Sequence, residues 1–142
     1  MCEKDFFSKV EKTLLEVIAL NKENRDRLNE WEHYSPTNYL KEFCTVHLDI
    51  GRQVGKTTFI TKHANENDAV VTFLNWRNDK GIKVFSSSED IARLRSKKEH
   101  SYKNIFIDEP DFVFRRVAEY SEILEAFASK DYKNQTFILL GE

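Results

Sequence analysis

The sequence predicts an α/β fold: three layers built on a short, mostly parallel sheet, with a helical segment added at the N-terminus. Three observations carry that expectation. Apolar or alternating runs of strand length occur at residues 45–50, 69–74, 104–109 and 135–140. Between them lie stretches with helical spacing and capping residues, the alternation that lays helices over both faces of a parallel sheet. At the first passage from strand to helix stands Gly51-Arg52-Gln53-Val54-Gly55-Lys56-Thr57-Thr58, a loop chemistry suited to an oxyanion.

At 142 residues and 40% hydrophobic content the chain holds one real core and is too short for two of ordinary size. Residues 1–34 read as a helical segment and 35–142 as the core. Cys2 and Cys44 are far apart and no signal-peptide pattern is present, so a reducing cytoplasm fits better than a disulfide framework. Four scattered histidines argue against a zinc site. No apolar run approaches the roughly 20 residues that span a bilayer, so no membrane partner is expected. A net charge of −2 provides no global basic field. Contact with DNA would depend on local patches and is not shown by the sequence.

Residues Lys4 to Trp31 read as helix, with Phe7, Val10, Leu14, Val17, Leu28 and Trp31 on a seven-residue repeat that continues through Asn21 and Asn24. That spacing leaves open a coiled coil, a partner helix or self-association. Packing on the chain's own core is the plainer account, and Asn21-Lys22-Glu23-Asn24 could equally divide two shorter helices. Ser35-Pro36 opens a short helix to Phe43, a cap followed by proline at the first helical position. Thr45 to Ile50 is strand, and Thr57 to about His63 is helix, so the glycine-lysine loop sits where a phosphate-binding loop requires.

Ala69 to Leu74 is a continuous apolar strand of the kind covered on both faces. Asn75 to Lys80 reads as loop and Ile82 to Phe85 as a short strand. Ser86-Ser87-Ser88 then caps a helix carrying Arg93, Arg95, Lys97 and Lys98. Cations near a helix C-terminus explain that cluster more simply than nucleic-acid contact. Asn104 to Glu109 is an apolar strand that delivers two adjacent carboxylates at its C-terminal end, where open α/β sheets place ligand chemistry. Asp111 to about Lys130 reads as one amphipathic helix with Phe112, Val117, Tyr120, Ile123, Leu124 and Phe127 facing the core. Gln135 to Leu140 is the last strand.

The loop and the acid pair are more specific together than apart. Loop N–H groups and the helix dipole suit phosphate, Lys56 reaches the outer phosphates, and the Thr57 hydroxyl with Asp108 suits Mg²⁺. Glu109 is then placed as general base for an attacking water. Nucleoside triphosphate, with Mg²⁺, is the implied ligand, and the absence of an N-K-x-D guanine signal favours ATP. Ile50 stands where the common loop pattern has its first glycine.

These stretches resemble the Walker A and Walker B arrangement of P-loop NTPases, and the double-acid ending resembles their additional-strand, catalytic-glutamate division. That division places the strand after Walker B between the Walker A and Walker B strands, a role assigned to Gln135–Leu140. The loop also resembles the variant Walker A of phage large terminase subunits, whose R-Q-x-G-K-T core lacks the usual first glycine. The resemblance covers roughly residues 36–142. It implies that Arg52 stabilises charge on the transferring phosphate from within the chain and that Gln53 has a structural or sensing role. It also implies the cytoplasm of a bacterial host cell if the gene is phage-borne. The family's coupling motif after the last strand is missing or reduced at Leu140-Gly141-Glu142, and no residues remain for its nuclease domain. An ATPase is therefore expected, with a nucleotide-dependent interaction protein of little turnover as the alternative. A small-molecule kinase is weaker because no arginine-rich lid follows the acids.

Overall fold

In the computed structural model, which describes residues 3–27, 34–49, 55–73, 80–97 and 100–142, the β-branched and aromatic runs form five strands. They are β1 (Thr45–Leu48), β2 (Ala69–Thr72), β3 (Lys83–Phe85), β4 (Asn104–Asp108) and β5 (Thr136–Leu140). Every pairing among them is parallel, and their order is β1-β5-β4-β2-β3. The last strand thus lies between the strand that leads into the glycine-lysine loop and the strand that ends in the acids, as expected of it.

The described helices are α1 (Glu3–Arg27), α2 (Pro36–Phe43), α3 (Lys56–His63), α4 (Ser88–Ser96), α5 (Pro110–Arg116) and α6 (Tyr120–Phe127). Side chains alternate along each strand, and that period divides the core in two. Ile105, Ile107, Phe137 and Leu139 face one way, under α2, α4, α5 and α6. Phe106, Ile138 and Leu140 face the other, under Val10 and Leu14 of α1 and Phe59 and Ile60 of α3. The result is a three-layer α/β arrangement, stabilised by about 1.5–3 kcal/mol for each large apolar side chain fully buried.

Local signals set the helix ends. The Ser35 hydroxyl accepts from Asn38 N–H with Pro36 behind it, and Ser87 accepts from Asp90 N–H. At the N-terminal ends of the strands, Asp68 accepts from both the backbone and side-chain N–H groups of Asn104, and buried Gln135 donates to the carbonyls of Tyr102 and Phe127. No helix among the described residues is long and apolar enough to cross a membrane.

Several expectations are corrected. The Asp111–Lys130 stretch is two helices, broken at Val117–Glu119, where Val117 and Ala118 N–H groups both return to the Val113 carbonyl. The break lets α6 pack along α4 while α5 stays over the ends of β2 and β4. Phe112 is 53% exposed, because α5 starts at Pro110 and turns Val113 inward instead. Residues 21–24 do not interrupt α1, and Asn24 is exposed while Arg25 is buried. The buried face follows the 3.6-residue helical period rather than a strict heptad. Arg93 and Arg95 do lie in the last turn of α4, as expected of cations near a helix C-terminus, and they also pair with Glu89, Asp90 and Glu125. Leu28, Trp31, Lys98 and residues 75–79 of the expected Asn75–Lys80 loop lie outside the described residues.

Candidate active site

Two strand ends, one helix start and one glycine converge at the C-terminal edge of the sheet. Gly55 opens α3 with a φ of +83°, a left-handed conformation that disfavours any side chain. A Cβ there would also lie 2.6 Å from the Phe7 ring of α1, so the N-terminal helix packs directly on the loop glycine. Lys56 follows and is 9% exposed, while Thr57 and Thr58 lie on the exposed side of α3.

β4 delivers the acids. Asp108 is buried at its last position, in register with Thr72 of β2 and Leu140 of β5. The Thr57 hydroxyl donates to its Oδ2 at 3.2 Å. Burial pushes the Asp108 carboxyl above its ordinary range, against the pull of the Thr57 bond, and neighbouring Glu109 adds to the rise. Burial disfavours the charged form of this carboxyl, and a cation beside it would favour ionisation.

Glu109 leaves the strand with φ 57° and ψ 69°, the only non-glycine residue at positive φ among those described. Such a backbone costs of order 1 kcal/mol and persists where its surroundings over-determine it. Here the Glu109 N–H donates to Leu140 O at 2.9 Å, and Pro110 starts α5 at once. The turn aims the side chain at α3, where Glu109 Oε1 meets Lys56 Nζ at 2.5 Å. Beside this pair runs Leu140-Gly141-Glu142. Gly141 has a φ of +114°, and a Cβ on it would lie 2.7 Å from Glu109 Oε2 and 3.2 Å from Lys56 Nζ.

The fold therefore brings Gly55, Lys56, Thr57, Asp108 and Glu109 together and leaves Thr58 one position further along α3. Gly51, Arg52, Gln53 and Val54 lie outside the described residues. Sequence reasoning did not place Phe7 or Gly141 at this site. A glycine just after an apolar strand was the visible signal for the last, since close backbone approach is what a glycine there permits. Among the described residues no group of three or more His, Cys, Asp and Glu side chains stands ready to hold a metal alone. Mg²⁺ needs no such cage, because it takes one or two protein oxygens and completes its shell with water and phosphate. The Thr57–Asp108 pair fits that requirement. No family model, curated protein or solved structure matches the chain.

Proposed function

We propose that this chain binds ATP with Mg²⁺ and hydrolyses it to ADP and phosphate, as a P-loop ATPase related to phage DNA-packaging or helicase-like enzymes. The observation that carries the reading is the meeting of Lys56 and Thr57, at the start of a helix behind a left-handed glycine, with Asp108 and Glu109 at a strand end. The order β1-β5-β4 and the Arg52-Gln53-Val54-Gly55-Lys56-Thr57 sequence support the narrower relationship.

Each residue then has a role. Lys56 binds the outer phosphates through its ammonium, and the first turn of α3 presents N–H groups to them. Thr57 and Asp108 hold the Mg²⁺ ion, which when bound offsets charge on the phosphate oxygens. Glu109 orients a water on the γ-phosphorus and takes its proton as the new P–O bond forms. The bond to the β,γ-bridging oxygen breaks, and ADP leaves with that electron pair. Arg52 adds positive charge at the transferring group.

The test is ATP hydrolysis by the purified chain, with and without Mg²⁺ and with and without DNA. Mg²⁺-dependent release of phosphate is expected. Glu109→Gln abolishes turnover but keeps binding, and Lys56→Ala loses both. Unaltered ATP binding by Lys56→Ala would overturn the reading. Stimulation by DNA that falls steeply with salt would identify a motor.

One observation favours a second reading, a nucleotide-dependent interaction protein with little turnover. Leu20 is 63% exposed and Leu15 is exposed on α1, whose opposite face packs on the sheet and on Gly55. Tight ATP binding without phosphate release would support it.

A further inference from the structure

We propose that His47 is a positioning residue for Glu109 and acts through Gly141. The inference rests on the reading of Glu109 as the base in hydrolysis. His47 is exposed near the end of β1, an edge strand of the described sheet. Its Nε2 lies 2.8 Å from the Gly141 carbonyl oxygen, and because that oxygen only accepts, the imidazole carries a proton on Nε2. The Gly141 N–H donates to Leu48 O at 2.9 Å. β1 therefore grips Gly141 at both its N–H and its carbonyl.

That grip matters because of what leans on the glycine. A Cβ at Gly141 would lie 2.7 Å from Glu109 Oε2 and 3.0 Å from Glu109 Cδ, so the bare α-carbon is a wall for the carboxylate. The flanking residues carry the tie across. Glu109 N–H donates to Leu140 O at 2.9 Å, and Asp111 N–H donates to Glu142 O at 2.5 Å. Leu140–Glu142 is thus a strap between β1 and the junction of β4 with α5. Its weakest point is the glycine itself, whose backbone has the widest conformational freedom. His47 removes that freedom at the carbonyl. An exposed histidine serves no core, so its replacement tests position without unfolding the chain.

The decisive experiment is steady-state ATP hydrolysis by His47→Ala, His47→Gln and His47→Asn, with binding of a non-hydrolysable ATP analogue measured alongside. His47→Ala is expected to lower kcat about ten-fold with affinity for the analogue unchanged, the mark of a displaced base rather than a lost phosphate contact. The glutamine amide nitrogen reaches as far as Nε2 and should restore most of kcat, whereas the shorter asparagine should not. Unchanged kcat in His47→Ala, a matching loss of affinity, or equal behaviour of Gln and Asn would overturn the proposal. If the wild-type chain releases no phosphate, the proposed function fails, and the positioning role is then read by NMR. The Glu109 carboxyl ¹³C resonance, assigned by its loss in Glu109→Gln, should move in His47→Ala and return in His47→Gln. A resonance that stays in place overturns the positioning role by itself.

Discussion

The Lys56 ammonium lies 2.5 Å from Glu109 Oε1, with the lysine 9% and the glutamate 27% exposed. The cation proposed for phosphate and the carboxylate proposed for water thus satisfy one another directly. A phosphate oxygen arriving at Lys56 must compete with that carboxylate. Glu109→Gln removes the competing charge while keeping a side chain of the same length. Its affinity for a non-hydrolysable ATP analogue is expected to rise about 3- to 10-fold, of order 1 kcal/mol, in a fluorescence titration. Equal affinities would mean that the pair does not restrain the lysine.

Asp108 predicts a conflict between stability and function. Its carboxyl is raised chiefly by burial. The unfolded chain ionises this group near its ordinary value of about 3.9. Between that value and the raised one, the folded state keeps a proton that the unfolded state has lost, so stability falls as pH rises through the window. Asp108→Asn should therefore be more stable than wild type at pH 7, by about 0.5–2 kcal/mol in urea denaturation. The two should converge below about pH 3, where both forms are neutral. A wild type that is the more stable at pH 7 would contradict this.

Arg25 predicts the reverse, a charge on which the fold depends. It is 6% exposed. Its Nη1 donates to Cys44 Sγ at 3.0 Å, to the Lys133 carbonyl at 3.2 Å and to the Gln135 carbonyl, and Nη2 donates to Thr136 Oγ1 at 2.8 Å. These bonds fix the end of α1 to the starts of β1 and β5. Arg25→Met leaves several buried acceptors without a donor and should cost about 2–4 kcal/mol. Lysine should not rescue it, because a single ammonium cannot reproduce the planar fork. Urea midpoints of the two variants check both statements.

Another charged contact joins α1 to α3. Glu11 Oε2 receives Lys62 Nζ at 2.7 Å and His63 Nε2 at 2.8 Å. The bonds from Lys62 and then His63 hold its carboxyl below the usual range. Stability from this group is present above the unfolded value of about 4.3 and is lost as pH falls through the lowered folded value. Glu11→Gln should be less stable than wild type at pH 7 and indistinguishable from it near pH 2. Thermal melts across that range decide it, and a difference that persisted in acid would point to packing rather than charge.

How much of this was legible depended on whether the signal was local. Ser35-Pro36, Ser87 and the apolar runs of β1, β2, β4 and β5 act through neighbours in sequence, so their elements stand within two residues of where they were expected. The break at Val117–Glu119 has no proline or glycine to announce it and follows from how α5 and α6 each find a different part of the sheet. Arg25 was hidden by a heptad reading that the helical period does not obey. The chemical types at Lys56, Thr57, Asp108 and Glu109 were readable, but their pairing was not. The Lys56–Glu109 contact depends on a left-handed turn at Glu109, and nothing in Asp108-Glu109-Pro110 alone dictates that backbone.

The position of β5 has a consequence for how the protein is made. β1 and β4 are not neighbours; each is hydrogen-bonded to β5, which comes after both in sequence. A nascent chain that has emerged only through Glu109 carries all the proposed chemical groups and has no spacer to set them at the right separation. The site therefore comes into being only after β5 leaves the ribosome and inserts between two strands already made. Such long-range parallel pairing is intrinsically slow. Until that step, the apolar edges of β1 and β4 that β5 covers are open to wrong partners, an aggregation hazard confined to the interval before β5 inserts.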